Sequence, residues 1–155
     1  MDVRRLQCAA ARRHSGALRR RDRRSVRLLL DTNILIWWLF QSRNLTREVF
    51  TAIHDPDNTT YVSVASAWEM AIKVATKRLA VPPDLASWLP AEIDRQGFTT
   101  LSVDLHHVLA IETLPRLHRD PFDRLLVAQA QAHRLTIATA DRVFAAYGVD
   151  HLPCW

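Results

Sequence analysis

Short apolar runs in this chain stop at, or lead directly into, an acidic residue where helical periodicity takes over. Leu28-Leu29-Leu30 ends at Asp31-Thr32-Asn33. Val62-Ser63-Val64 leads through Ala65-Ser66-Ala67-Trp68 to Glu69. Asp120-Pro121-Phe122 opens a helix-like stretch at Asp123, and Thr139-Ala140 ends at Asp141. Apolar runs too short for a helix, without period-two alternation, are what strands buried on both faces look like. Parallel neighbours need a crossover between them, usually a helix. The alternation therefore restricts the chain to an α/β fold with a central, mostly parallel sheet flanked by helices.

Strands are expected at 26–30, 61–64, 98–103 and 135–138, with a last short one at 149–152. Helices are expected at 34–40, capped by Asn33, and at 43–55, with Leu45, Val49, Ala52 and Ile53 on one face. Further helices are expected at 66–79, then from Asp84 to Gln96, stopped by Gly97, from Asp104 to about Thr113, at 120–134, and from Asp141 to Tyr147, stopped by Gly148. At 155 residues the chain suits one domain with a core of its own.

In a parallel sheet the carboxyl ends of the strands share an edge, and ligands bind there. Four carboxylates converging on one edge repel unless a cation neutralises them. Hard oxygen donors suit Mg²⁺ or Mn²⁺, and a divalent ion in a carboxylate cleft is a common device for hydrolysing phosphodiesters. Each acid also has a capping role open to it: Ser66-Ala67-Trp68-Glu69 fits a capping box, Asp141 suits an N-cap, and Asp120 followed by Pro121 suits N-cap and N1. Capping needs no common edge, so the two roles coexist. Asp120 is assigned to the cap and Asp123, one turn on, to the cation.

Other chemistries find less support. With three Gly and no G-x-G-x-x-G or Walker pattern, nucleotide cofactor chemistry has no loop to work with. Cys8 and Cys154 form no zinc spacing or disulfide framework, which points to a reducing cytoplasm, and no apolar run is long enough to span a membrane. The net charge of +5 is misleading. Residues 1–27 hold ten Arg and two Asp, whereas the remainder holds 11 basic and 14 acidic residues. The basic character thus belongs to residues 1–25, expected to be a disordered tail or a misassigned start, since Val26-Arg27-Leu28 is a normal beginning if a GTG codon is read as valine. His106, His107 and His118 lack Cys or His partners at ligand spacing and are expected on the surface or in loops. Arg119 and Arg124 flank the acids and could touch a phosphate; Arg124 could equally pair with an acid. Trp37, Trp38, Trp68, Trp88 and Phe122 could stack on bases, but their helical spacing favours core or interface, with one of Trp37 and Trp38 partly exposed.

Together, Arg27-Leu28-Leu29-Leu30-Asp31-Thr32-Asn33, Ser66-Ala67-Trp68-Glu69-Met70-Ala71-Ile72-Lys73, the stretch from His118 to Ala130, and Thr139-Ala140-Asp141 resemble the PIN-domain ribonucleases. The nearest branch is the VapC-like toxins of bacterial toxin–antitoxin pairs. The resemblance spans residues 26–155. It implies a PIN-like fold and one or two Mg²⁺ or Mn²⁺ ions held by Asp31, Glu69, Asp123 and Asp141, with Asn33, Ser66 and Thr139 as polar neighbours. Many members of this branch have His at the position of Asn33. The implied reaction is hydrolysis of RNA by metal-activated water, with Asp31 and Asp123 as principal ligands, Asp141 completing the site and Glu69 orienting or deprotonating the water. A cognate antitoxin and a homodimer are implied as partners. Two alternatives stay open: a housekeeping PIN nuclease of RNA maturation or decay, and a non-catalytic RNA- or protein-binding module.

Overall fold

The computed structural model describes residues 25–155, so the Arg-rich segment at 1–24 lies outside the described residues. The element order is β1 (Arg27–Leu30), α1 (Thr32–Leu39), α2 (Arg47–His54), β2 (Thr59–Ser63), α3 (Val64–Ala75), α4 (Leu85–Gln96), β3 (Thr99–Leu101), α5 (Leu105–Ala110), α6 (Pro121–His133), β4 (Thr136–Thr139) and β5 (His151–Pro153). A 3-10 turn at Ile111–Thr113 follows α5, and a 3-10 helix at Arg142–Tyr147 follows β4. The five strands form one sheet in the order β3-β2-β1-β4-β5, and every pairing is parallel.

β1 sits at the centre and shows why the sheet is parallel. Leu28, Leu29 and Leu30 are each fully buried. Leu28 and Leu30 face one layer with Ile34, Leu35, Val49, Val62 and Met70. Leu29 faces the other, with Leu126, Val127, Ile137 and Phe144. Burying each such side chain contributes roughly 1.5–3 kcal/mol. The chain first builds outward from β1 to β2 and β3, then returns to place β4 on the other side of β1. That reversal makes the carboxyl ends of β1 and β4 the topological switch point of the sheet, where open α/β sheets bind ligands.

Several boundaries differ from the sequence reading. Asp31, not Asn33, caps α1: Asp31 Oδ1 accepts the Asn33 N–H at 3.2 Å, and Asn33 is an exposed helical residue. β2 ends at Ser63, and α3 starts at once, two residues earlier than expected. Ser63 Oγ accepts from the Ala65 N–H at 3.0 Å and donates to Gln129 Oε1 at 2.6 Å. The Ser66–Glu69 capping box is therefore absent, because Ser66 already lies inside the helix. α2 begins after a Thr46 cap rather than at Arg43. Asp84 makes no side-chain cap to the backbone and takes left-handed φ, with Ser87 Oγ donating to its Oδ2. The segment after Asp141 is a 3-10 helix, not an α-helix. Trp37 and Trp38 are both half-buried at the rim of the same core, since adjacent helical positions can share the edge of a face.

Candidate metal centre

Asp31 and Asp141 come from the loops that end β1 and β4, Glu69 from the second turn of α3, and Asp123 from the first turn of α6. Adjacent parallel strands of matched register bring Asp31 and Asp141 to one edge: Leu30 pairs with Ala138, and the Asp31 N–H donates to the Ala138 carbonyl at 3.0 Å. Thr139, fully buried, joins them. Its Oγ1 donates to Asp31 Oδ2 at 2.8 Å and accepts the Asp141 N–H at 3.0 Å. Asp120 Oδ1 accepts from the Phe122 N–H at 2.8 Å and caps α6, which leaves Asp123 without a capping duty.

The electrostatics tie the four acids together. Burial raises the Asp123 carboxyl to about 7, and the charges of Asp31, Asp120, Glu69 and Asp141 add to the rise. Burial also raises Asp31. Hydrogen bonds from Thr139 and the Asn33 N–H oppose that rise, and Glu69 and Asp141 reinforce it. A buried carboxyl raised by like charges is what a cation site looks like before its cation neutralises it. Glu69 is held by Lys73 one turn along, Nζ to Oε1 at 2.7 Å. Among the described residues, two buried hydroxyls lack hydrogen-bond partners: Thr32 Oγ1, next to Asp31, and Ser66 Oγ, one turn before Glu69. Hard oxygen donors, mutual repulsion and spare hydroxyls all fit a divalent ion.

A fifth side chain joins the acids. Ligand atoms of His118, Asp123 and Asp141 all lie within 4.8 Å of one another. His118 Nε2 is 3.0 Å from Asp141 Oδ2, and the His118 side chain is only 7% exposed. The sequence reading placed His118 in a loop without a role. Only its position five residues before Asp123 hinted otherwise, because the contact to Asp141 spans 23 residues.

Among the described residues Arg124 makes no ion pair with an acid. Its guanidinium donates to the carbonyls of Pro115, Ile111 and Leu114 at 2.6, 2.8 and 3.1 Å, holding the loop that carries His118. Trp68 is 60% exposed rather than core, and its ring meets Phe122 edge-on at 4.9 Å, between the helix turns that carry Glu69 and Asp123. His107, expected at the surface or in a loop, is fully buried, and α6 brings His133 to it and to His106. The geometry of that trio argues against a second metal. His107 Nδ1 accepts the Asp104 N–H at 3.0 Å, so the ring proton sits on Nε2 and is shared with His133 Nε2 at 2.9 Å. A metal on Nε2 requires that proton to leave, and Nδ1 has no room to take it.

Residues 28–150 match the PIN domain family. Ribonuclease VapC22 of Mycobacterium tuberculosis is 31% identical over 117 residues, covering 74% of this chain and 87% of that protein. The chain belongs to the PIN-domain family. Within that family it is similar to the VapC ribonucleases, as the sequence motifs implied. Ribonuclease VapC16 of the same organism is 39% identical over a shorter span, 41% of this chain and 43% of that protein. The fold matches as well. VapBC2 from Rickettsia felis, solved bound to a DNA fragment from the promoter, gives a TM-score of 0.63 at 14% identity, covering 83% of this chain and 98% of that one. A toxin–antitoxin complex from Klebsiella pneumoniae gives 0.56 at 23% identity, covering 83% and 98%. At these identities the structural likeness is one of architecture, and it agrees with the parallel α/β arrangement read from the sequence.

Proposed function

We propose that this protein is a metal-dependent endoribonuclease and the toxin of a toxin–antitoxin pair. The observation that carries the reading is the convergence of Asp31, Glu69, Asp123 and Asp141, from four separate elements, on the switch point of the sheet, with Asp123 raised to about 7 by burial and by its acidic neighbours. Asp123 and Asp141 place carboxylate oxygens within 4.8 Å of each other, Asp31 stands beside Asp141 through Thr139 and acts on Asp123 through its charge, and Glu69 is the acid available to orient a water. A bound divalent ion acidifies water and offsets charge on phosphoryl oxygens. The side chains do the rest: the carboxylates fix the ion, Thr139 fixes Asp31 against Asp141, and Lys73 holds Glu69 on its helix. Trp68, exposed beside Phe122 at the edge of the acids, gives an unpaired base a face to stack on.

Partners follow from the same reading. VapC22 is named a ribonuclease, and the Klebsiella neighbour is a toxin–antitoxin complex. An antitoxin here has a cleft of about 680 Å³ to enter, lined by Trp38, Leu39, Leu45, Phe50, Arg47 and Arg95. Homodimerisation is supported by the exposed apolar face of Leu105, Val108 and Leu109 on α5. Among the described residues, no helix is long and apolar enough to cross a membrane.

Sequencing RNA 5′ ends after brief expression of the wild type and of Asp31→Asn tests the function. New ends in the wild type alone support it. Identical profiles favour the non-catalytic binding module. A single processed precursor, in a genome with no adjacent gene for a small DNA-binding protein, favours the housekeeping nuclease.

A further inference from the structure

We propose that His118 is a positioning residue of the metal centre: its Nε2–H holds the Asp141 carboxylate in the orientation that receives the ion together with Asp123. The inference rests on the metal-binding reading above and deepens it. Asp141 needs such support. Its side chain is 42% exposed, and it sits at the start of a short 3-10 helix rather than on a long rigid element. One oxygen, Oδ1, accepts the Val143 N–H at 2.8 Å. The other, Oδ2, meets His118 Nε2 at 3.0 Å. With both oxygens held, the carboxylate cannot rotate, and its remaining lone pairs keep one direction.

His118 is built for the task. Its ring stacks on Tyr147, 5.3 Å between centroids and 12° between planes, and packs on Phe144 at 4.7 Å. Its backbone N–H donates to Tyr147 Oη at 2.8 Å. Both aromatic partners belong to the 3-10 helix that Asp141 caps, so ring and carboxylate are fixed in one frame. The hydrogen bonds also decide between a ligand and a support. A histidine bound to a metal passes its other N–H to an acceptor. His118 Nδ1 is buried and has no partner among the described residues. A bare nitrogen is tolerated there more readily than an unpaired N–H. The ring proton therefore belongs on Nε2, where Asp141 accepts it, and His118 acts through the carboxylate rather than on the ion.

Two substitutions separate the donor from the packing. His118→Phe keeps an aromatic ring against Tyr147 and Phe144 but removes the N–H. His118→Gln removes the ring but places an amide N–H near the position of Nε2. Mn²⁺ binding is measured by calorimetry at constant pH, and thermal melts report the fold. The Phe variant should bind about 10–100-fold more weakly than the wild type, the usual effect of losing a group that supports a metal ligand. The Gln variant should stay close to the wild type even where its melting point falls. Should the Phe variant not fold, His118→Leu replaces it in the comparison. Long-range ¹H–¹⁵N spectra of the wild type should show the Nε2–H tautomer without any substitution. Wild-type affinity in the Phe variant, equal losses in both variants, or an Nδ1–H tautomer would each overturn the proposal while leaving the metal centre standing. A wild type that binds no Mn²⁺ overturns both.

Discussion

Asp123 is where single-residue chemistry has the largest consequence. Burial and four acidic neighbours raise its carboxyl to about 7, so near neutral pH an arriving ion must displace a proton. Mn²⁺ affinity should fall as pH drops below 7, by up to about tenfold per unit for one displaced proton. Calorimetry at pH 6 and pH 8 in buffers of different ionisation enthalpy reads both the affinity and the proton released. An affinity independent of pH would remove Asp123 from the coordination shell. The sign for folding is opposite to that of an ordinary salt-bridged acid. A carboxyl raised from about 4 when unfolded to about 7 when folded binds its proton more tightly in the native state. Its contribution is favourable at low pH and is lost as pH rises from about 4 through 7. Asp123→Asn should therefore abolish metal-dependent cleavage and yet stabilise the metal-free protein at pH 7.5, read as a higher urea midpoint. A lower midpoint would mean that Asp123 is a structural group. The four candidate acids were legible as residues, because Asp and Glu at strand ends and helix starts are visible in a sequence. Their shared charge was not, since Asp31 and Asp123 meet only through the fold.

At the level of elements, polar side chains decide how helices seat on the sheet. Gln129 of α6 is fully buried; it accepts from Ser63 Oγ at 2.6 Å and donates to the Ser102 carbonyl at 2.9 Å. It thus ties α6, and with it Asp123, to the ends of β2 and β3. Gln129→Leu leaves the fully buried Ser63 hydroxyl without an acceptor for its proton and should cost about 1–3 kcal/mol in urea unfolding. A neutral result would show that water replaces the amide. α5 is seated by His107, whose ring links the Asp104 N–H to His133 of α6. Burial, first, and then the neighbouring His106 and His133 lower the His107 pKa, against a smaller opposing pull from Asp104. A histidine lowered in the folded state binds fewer protons there than when unfolded, so its contribution is intact above about 6.5 and is lost as pH falls below that. The stability difference between wild type and His107→Gln should shrink between pH 7 and pH 5; titrating groups away from His107 are common to both proteins and cancel. A constant difference would mean that the fold does not hold His107 neutral. The existence of these helices was readable from apolar periodicity. The start of α3 was not, because Ser63 and Ser66 both suit a cap by sequence, and only the position of Gln129 selects Ser63.

For the whole molecule, the metal centre should couple to global stability. Like charges gathered at one sheet edge oppose folding, and an ion that binds only the native cluster offsets them. Saturating Mn²⁺ should raise the melting temperature of the wild type and leave Asp123→Asn nearly unchanged. An equal rise in both would point to ion binding elsewhere. The sequence by itself determined the layer architecture, the parallel sheet, and acids at strand ends and within the first two turns of helices, because burial on two faces and helix initiation are local demands written in neighbouring residues. Tertiary structure alone decided that β4 returns to the far side of β1, that Thr139 bridges Asp31 to Asp141, that Arg124 is spent on loop carbonyls, and that His118 reaches Asp141. Each of those contacts joins residues far apart in the chain or adds a partner that several polar side chains could equally have supplied. Spacing along a sequence carries no information about such distances until the strand order closes them.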